Sequence, residues 1–410
     1  MKNKALSILS LNIIFLLILT PFGFALNISE NFDLAVIRIL IPIIFLIWLF
    51  KGLFNKKLLL DFRLRSGLLL FILILSSISF FWSINEIKAL RKILFLGSIF
   101  PLYWFMVYFF RRKANFELFL KILSGTALVS SLVGLIQFIS QFIFGLNSVF
   151  LFQSKITPFF LGNNFSEMVL LYNSWLVNIN GVTLFRAVGL FPDPHLFSLF
   201  LNISLPIILF LFLKTKHYFY LINFSIVLIT SLLTFSRAGY LSLIMAVIFC
   251  WLFFLKKKNI WNILLILFFM LFLIIPNPIN QRLYSTFNLK DGSIKERIHL
   301  LETSLKITQN NFWGGVGIGN LSEVIQPQSD TRTPIYAHNL FLDFSSEIGF
   351  FGGLAVLILV FIPILNYFRK PSTKNFLLAI VFVIIFTHSM FETPFYSVRV
   401  LPLILTFLAI

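Results

Sequence analysis

The sequence predicts an all-α, polytopic integral membrane protein of about twelve transmembrane helices, with a large outer (periplasmic) loop before the tenth. Three observations carry this. Of 410 residues, 59% are hydrophobic and 12% charged, whereas an ordinary soluble domain has roughly 25% charged residues. Apolar runs near the roughly 20 residues that cross a bilayer recur from one end of the chain to the other. Lysine and arginine fall in short clusters between those runs, as membrane topology demands. A soluble protein is excluded. The net charge of +18 therefore belongs to topology, and no nucleic acid is expected as a partner.

In chain order the spans are roughly 5–25, 33–53, 66–83, 89–110, 118–144, 188–213, 218–235, 238–255, 259–275, 338–367, 375–391 and 396–410. The first follows Lys2 and Lys4. It is too long for a secretory h-region and lacks a small-residue cleavage site, so it reads as an uncleaved helix. The tenth is long enough to tilt or to protrude above the membrane. With the N-terminus inside, the cytoplasmic segments gather Lys2 and Lys4; Lys51, Lys56, Lys57, Arg63 and Arg65; Arg111, Arg112 and Lys113; Lys214 and Lys216; Lys256, Lys257 and Lys258; and Arg369, Lys370 and Lys374. Asp61 and Glu117 are the only acids among them. This positive-inside pattern places both termini in the cytoplasm. Residues 1–410 read as one multi-span domain. Cys250 is the single cysteine, which excludes an intramolecular disulfide and a thiolate metal site.

Two long segments face outside, roughly 145–187 and 276–337, rich in the glycine, asparagine and proline that punctuate structured loops. In the first, Glu167 to Leu176 mixes apolar and polar residues around Trp175 and predicts an interfacial helix. In the second, Glu296 to Thr308 predicts an amphipathic helix with Ile298, Leu301 and Leu305 on its apolar face. The run from Gly314 to Gly319 lacks the preceding strand and following acid of a dinucleotide fingerprint. It reads as a turn whose amides could cradle an anion.

The outer side keeps arginines where topology discourages them. Arg186, Arg237, Arg297 and Arg399 lie at outer span ends or in outer loops. A guanidinium at the hydrocarbon boundary is costly without a partner, and its planar fork suits phosphate oxygens. The plain alternative is that each one snorkels to lipid headgroups. Where the large loop enters the tenth span stands His338, whose ordinary pKa near 6.5 lets it accept a proton at neutral pH. Asn339, Asp343 and Glu347 follow at four-residue spacing, on one helical face. A polar stripe at the head of a membrane helix must face protein or water. His388 and Glu392, one turn apart near the outer end of the eleventh span, either line the same cavity or make a structural contact. Asp193, His195 and His338 could be imagined as metal ligands, but the paired spacing that would support this is missing, and no metal is expected.

These residues resemble a known family. Phe185-Arg-Ala-Val-Gly-Leu-Phe-Pro-Asp-Pro-His195, Thr234-Phe-Ser-Arg-Ala-Gly239, Arg297 ahead of Gly315-Val-Gly-Ile-Gly-Asn320, and Ala337-His-Asn339 with Glu347-Ile-Gly349 look like the O-antigen ligase and polymerase family. The best match is roughly 180–360, which resembles the family's shared core and includes the outer loop 276–337. The resemblance implies metal-independent, inverting transfer of a glycan from a polyprenyl-diphosphate carrier, with no nucleotide and no cofactor. The transfer would take place on the outer face of the inner (plasma) membrane, to an acceptor hydroxyl of a glycolipid or glycan. A surface-polysaccharide polymerase of the same family is the nearest alternative, and a glycan or lipid transporter a more distant one. The family's two functional arginines match Arg186 and Arg237, and its loop histidine matches His338, as general base or phosphate contact. Arg297, Asn339, Asp343 and Glu347 complete the expected set as substrate-binding residues. Many members carry a Pro-Asn pair where this chain has Pro192-Asp193, which leaves the role of that turn open.

Overall fold

A computed structural model describes residues 2–29, 32–54, 63–171, 174–179, 181–254, 278–284, 292–325 and 336–410. The expected ninth span and the Lys256, Lys257 and Lys258 cluster lie outside the described residues, as do residues 285–291 and 326–335 of the outer loop.

The described chain is mostly helical, with two short antiparallel hairpins. It begins with α1 (Lys2–Leu19), the β1–β2 hairpin (Ala25–Ser29, Phe32–Ala35), α2 (Ile37–Phe54) and α3 (Leu64–Ile78). α4 (Glu86–Ile99), α5 (Leu102–Phe109), α6 (Lys113–Phe144), α7 (Leu146–Leu161) and α8 (Asn163–Leu171) follow. After the β3–β4 hairpin (Leu176–Ile179, Val182–Phe185) come α9 (Pro194–Thr215), α10 (Tyr218–Leu233) and α11 (Arg237–Phe254). The outer loop holds α12 (Pro278–Tyr284), α13 (Gly292–Asn310) and the short α14 (Leu321–Val324). α15 (Leu340–Ile348), α16 (Phe350–Arg369), α17 (Thr373–Ser389) and α18 (Leu401–Leu408) close the chain.

Six of the described helical segments are long and apolar enough to cross a membrane, and three shorter apolar ones begin at Tyr218, Arg237 and Thr373. Among the described residues, two of the roughly twelve expected spans are reshaped. The twelfth yields only the 8-residue α18, about 12 Å at 1.5 Å per residue, too short to cross alone. The tenth is broken at Gly349, whose φ of +84° only glycine adopts readily. A Cβ there would lie 2.2 Å from the Trp313 carbonyl oxygen.

That break explains the glycine-rich run. The amides of Val316 and Gly317 donate to the carbonyls of Ser346 and Glu347, each at 2.9 Å, and the Phe350 amide donates to the Phe312 carbonyl at 2.8 Å. The carbonyls orphaned at the end of α15 thus find partners in the outer loop, as a helix end buried in a membrane protein requires. These donors are committed, so the run is a splice between loop and helix and not an anion cradle.

Two other local expectations are corrected. Residues 167–176 do not form one interfacial helix: α8 stops at Leu171, and Trp175 is buried, its Nε1 donating to the Pro192 carbonyl at 2.9 Å. On α13, the expected apolar face is turned outward, with Ile298 and Leu305 exposed. Leu300, Ser304 and Ile307 face inward instead. The helical period is right but the buried stripe is rotated, because the inward face meets the polar Ser346 on α15: Ser346 Oγ donates to the Ser304 carbonyl at 3.1 Å.

α9 forms the centre, packed against α6, α10, α11 and α17. Small residues allow this. A Cβ on Gly239 of α11 would come within 1.9 Å of Ser198 Oγ on α9, a close approach typical of membrane helix pairs. Asn202 of α9 donates to the Gly239 carbonyl at 2.9 Å and accepts from Ser231 of α10 at 2.5 Å. The segments read as cytoplasmic meet at one end, where Arg65 donates to the Leu408 carbonyl and Lys214 pairs with Glu117. Segments read as outer meet at the other, where the Asn85 amide donates to Asn320 Oδ1 at 2.6 Å and Arg399 to the Phe160 carbonyl at 3.2 Å.

Candidate functional site

One wall of the candidate site is built around Arg186. The residue follows β4, and all three of its guanidinium nitrogens donate to carbonyls: Nε to Thr234 at 2.7 Å, Nη1 to Ser174 at 2.9 Å and Nη2 to Phe235 at 3.2 Å. Burial pushes this guanidinium below its ordinary value, with Arg282 adding to the shift. Thr234 to Ser236 form the turn between α10 and α11, and Phe235 is held at a positive φ of 48°, a conformation that costs a side-chain-bearing residue free energy. Ser236 Oγ accepts the Gly239 amide at 3.1 Å, so it caps α11 and Arg237 opens that helix. Arg237 is mostly buried.

The facing wall centres on Glu392, in the turn after α17. Arg297 Nη2 of α13 reaches Glu392 Oε1 at 2.9 Å, and His338 Nδ1 reaches Oε2 at 3.3 Å. His195 Nδ1 lies 3.9 Å from Oε1 and 3.0 Å from Ser236 Oγ, which joins the two walls. Burial alone would raise the Glu392 carboxyl, but His195, His338 and Arg297 outweigh it and hold the group well below the ordinary carboxylate range. His338 also sits at a positive φ of 52°, a strained backbone that its surroundings must hold in place. His388, one turn before Glu392, is fully buried, with no hydrogen-bond partner for either ring nitrogen among the described residues.

Those surroundings include the residues expected to bind substrate. Asn339 caps α15, its Oδ1 accepting the Phe341 and Leu342 amides at 3.1 Å, and its Nδ2 donates to the Met390 carbonyl at 3.4 Å. Asp343 accepts the Ala337 amide at 2.7 Å and the Thr393 hydroxyl. It thereby ties the neighbour of His338 to the neighbour of Glu392. Glu347 accepts from Lys92 at 2.8 Å and from the Tyr396 hydroxyl at 2.9 Å, while the Lys92 ammonium lies 3.4 Å from the Tyr396 ring centroid. All three side chains are thus engaged by the protein: Asn339 and Asp343 tie the segment of His338 to that of Glu392, while Glu347 is held by Lys92 and Tyr396.

The Asp-Pro turn also resolves. Asp193 Oδ1 accepts the His195 and Leu196 amides, both at 2.8 Å, with Pro194 opening α9; this is an N-cap followed by proline at the first helical position. The cap aims His195 into the site. Among the described residues no group of three or more His, Cys, Asp or Glu side chains is placed to hold a metal ion.

Residues 222–357 match the O-antigen ligase family model. The family resemblance therefore stands on that stretch, which takes in Arg237, Arg297, His338, Asn339, Asp343 and Glu347 and leaves Arg186, His195 and Glu392 outside. Over 227 residues the chain is 27% identical to the ComP-specific O-oligosaccharyltransferase of Acinetobacter baylyi. That match covers 51% of this chain and 41% of the relative, so the chain aligns with less than half of that protein's length. Within and around the O-antigen ligase segment, Glu392 is the residue that sequence reasoning undervalued. Its signals were its place as an acid amid arginines on the side read as outer and its spacing of one turn from His388.

Proposed function

We propose that this integral membrane protein is a glycosyltransferase of the O-antigen ligase kind. In this reading it moves a glycan from a polyprenyl-diphosphate carrier to an acceptor hydroxyl on a glycolipid or glycan, on the outer face of the inner (plasma) membrane. Residues 1–410 form one membrane domain, 180–360 is its O-antigen ligase-related core, to which Glu392 adds from beyond that stretch, and both termini lie in the cytoplasm. The observation that carries the reading is the His338–Glu392 pair, anchored by Arg297 and facing the Arg186–Arg237 wall across His195 and Ser236.

The chemistry follows from that arrangement. Glu392, kept ionised by its pairing with Arg297, takes a hydrogen bond from His338 Nδ1–H, which leaves Nε2 as the proton acceptor. The acceptor hydroxyl loses its proton to Nε2 as its oxygen bonds to the anomeric carbon. The bond from that carbon to the phosphate oxygen breaks on the opposite face, with inversion, and the negative charge departs with the prenyl diphosphate. Arg237, at the head of α11 where the helix dipole also favours an anion, meets that charge together with Arg186. Positioning and charge stabilisation supply the catalysis, and the mechanism calls for neither metal nor nucleotide.

The test is transfer by the purified protein from a carrier-linked glycan to an acceptor in excess chelator. Product is expected without metal or ATP. Loss of activity restored by one added metal ion would overturn the metal-independent mechanism. Deleting the gene and comparing the length and attachment of surface glycans separates ligase from polymerase. Full-length chains left unattached identify a ligase, and attached single repeats a polymerase.

A further inference from the structure

α6 carries two glutamines one turn apart, Gln137 and Gln141, both more than nine-tenths buried. Each uses both ends of its amide on the backbone of a single residue. Gln141 Oε1 accepts the Phe185 amide at 2.7 Å, and its Nε2 donates to the Phe185 carbonyl at 3.0 Å. Gln137 Oε1 accepts the Gly189 amide at 2.8 Å, and its Nε2 donates to the Gly189 carbonyl at 2.7 Å and to Gln153 of α7 at 2.9 Å. Between the two clamped residues lies Arg186.

The clamps answer a physical need. Residues 186–193 are neither helix nor strand, yet they are packed within a membrane protein, where each unsatisfied backbone group is costly. The Arg186 amide finds the Trp175 carbonyl and the Ala187 amide the Leu233 carbonyl; the glutamines serve Phe185 and Gly189. Glycines bring the parts close enough. A Cβ on Gly134 of α6, or on Gly189, would lie 2.9 Å from the Phe197 ring, so that ring is wedged between helix and clamped segment.

We infer that Gln137 and Gln141 are positioning residues for the donor diphosphate. They fix the Arg186 backbone, and Arg186, through its bonds to the Thr234 and Phe235 carbonyls, holds the turn that presents Arg237. This rests on the transfer reading above. A polar amide in an apolar helix has a bland role as helix glue, but glue would not aim both ends of two successive amides at the backbone on either side of a functional arginine.

The experiment is donor and acceptor kinetics of the purified full-length protein in lipid nanodiscs, with a polyprenyl-diphosphate-linked glycan. Gln141→Leu and Gln141→Asn, the latter too short to reach both backbone atoms, should lower kcat/KM for the donor roughly 10- to 100-fold, the scale of a misplaced binding group. The loss should appear in donor KM, with acceptor KM unchanged. Gln141→Glu, whose buried carboxyl takes up a proton and offers the same acceptor and donor, should restore most of the donor KM. If Gln141→Leu does not accumulate, the polar Gln141→Asn decides. A wild-type donor KM in Gln141→Asn, or equal movement of both KM values, overturns the positioning role. A wild-type protein that transfers nothing from this donor instead overturns the transfer reading itself.

Discussion

Arg186 and Arg297 both belong to the candidate site, yet one is held by carbonyl dipoles and the other by a carboxylate. The difference matters for chemistry. Dipoles orient a guanidinium without cancelling its charge, so Arg186 keeps its positive charge for an incoming anion. A carboxylate neutralises its partner, so the Arg297–Glu392–His338 wall has little net pull on an anion. What it gains is a fixed acceptor beside an ionisable ring, the arrangement that proton transfer needs. In the proposed transfer the two walls divide the reaction into charge and proton.

The largest effect is expected on the proton wall. His338→Ala and His338→Gln should accumulate like wild type yet lose at least about 100-fold in transfer, the low end for a general base. His217, in a segment read as cytoplasmic, should be replaceable without effect. A fully active His338→Gln protein would remove the base and leave the cationic wall alone.

The charge wall comes next. Arg237→Lys and Arg186→Lys keep the charge but lose the fork, and each should cost about tenfold in turnover, the worth of one charge-assisted hydrogen bond. Near-normal transfer by both variants would mean that the diphosphate sits elsewhere.

A pH measurement sharpens the contrast. Glu392 is held below its ordinary value in the folded protein. Its contribution to stability is therefore full above the unfolded carboxylate value of about 4.3 and is lost as pH falls through the lower folded value. The difference in thermal unfolding between wild type and Glu392→Gln should persist from pH 7 to about 5 and shrink only below about 4. A difference that vanishes by pH 6 would show that the cations do not hold this carboxylate. The smallest effect is Asn339→Ala, which removes the α15 cap and should lower stability by about 1 kcal/mol. A larger loss of transfer than of stability would show that the cap serves His338.

Much of this protein is legible in its sequence. Hydropathy and basic clustering determine a helical membrane protein, because the cost of burying charge and unpaired backbone in lipid acts locally on each segment. Ser236, Arg237 and His338 are visible because their neighbours in the chain carry the resemblance. What lies between them is not. Glu392 is 54 residues from its partner His338, Gln141 is 44 from Phe185, and Lys92 is 255 from Glu347. No local pattern links such pairs. The same holds for the rotated face of α13 and the break at Gly349, where a neighbouring segment supplied better partners than the continuous helix could. The sequence by itself determined the medium in which the chain lives and the residues able to do chemistry. Only the tertiary structure decided which acid meets which base, because pairing energy depends on distance in space and not on distance along the chain.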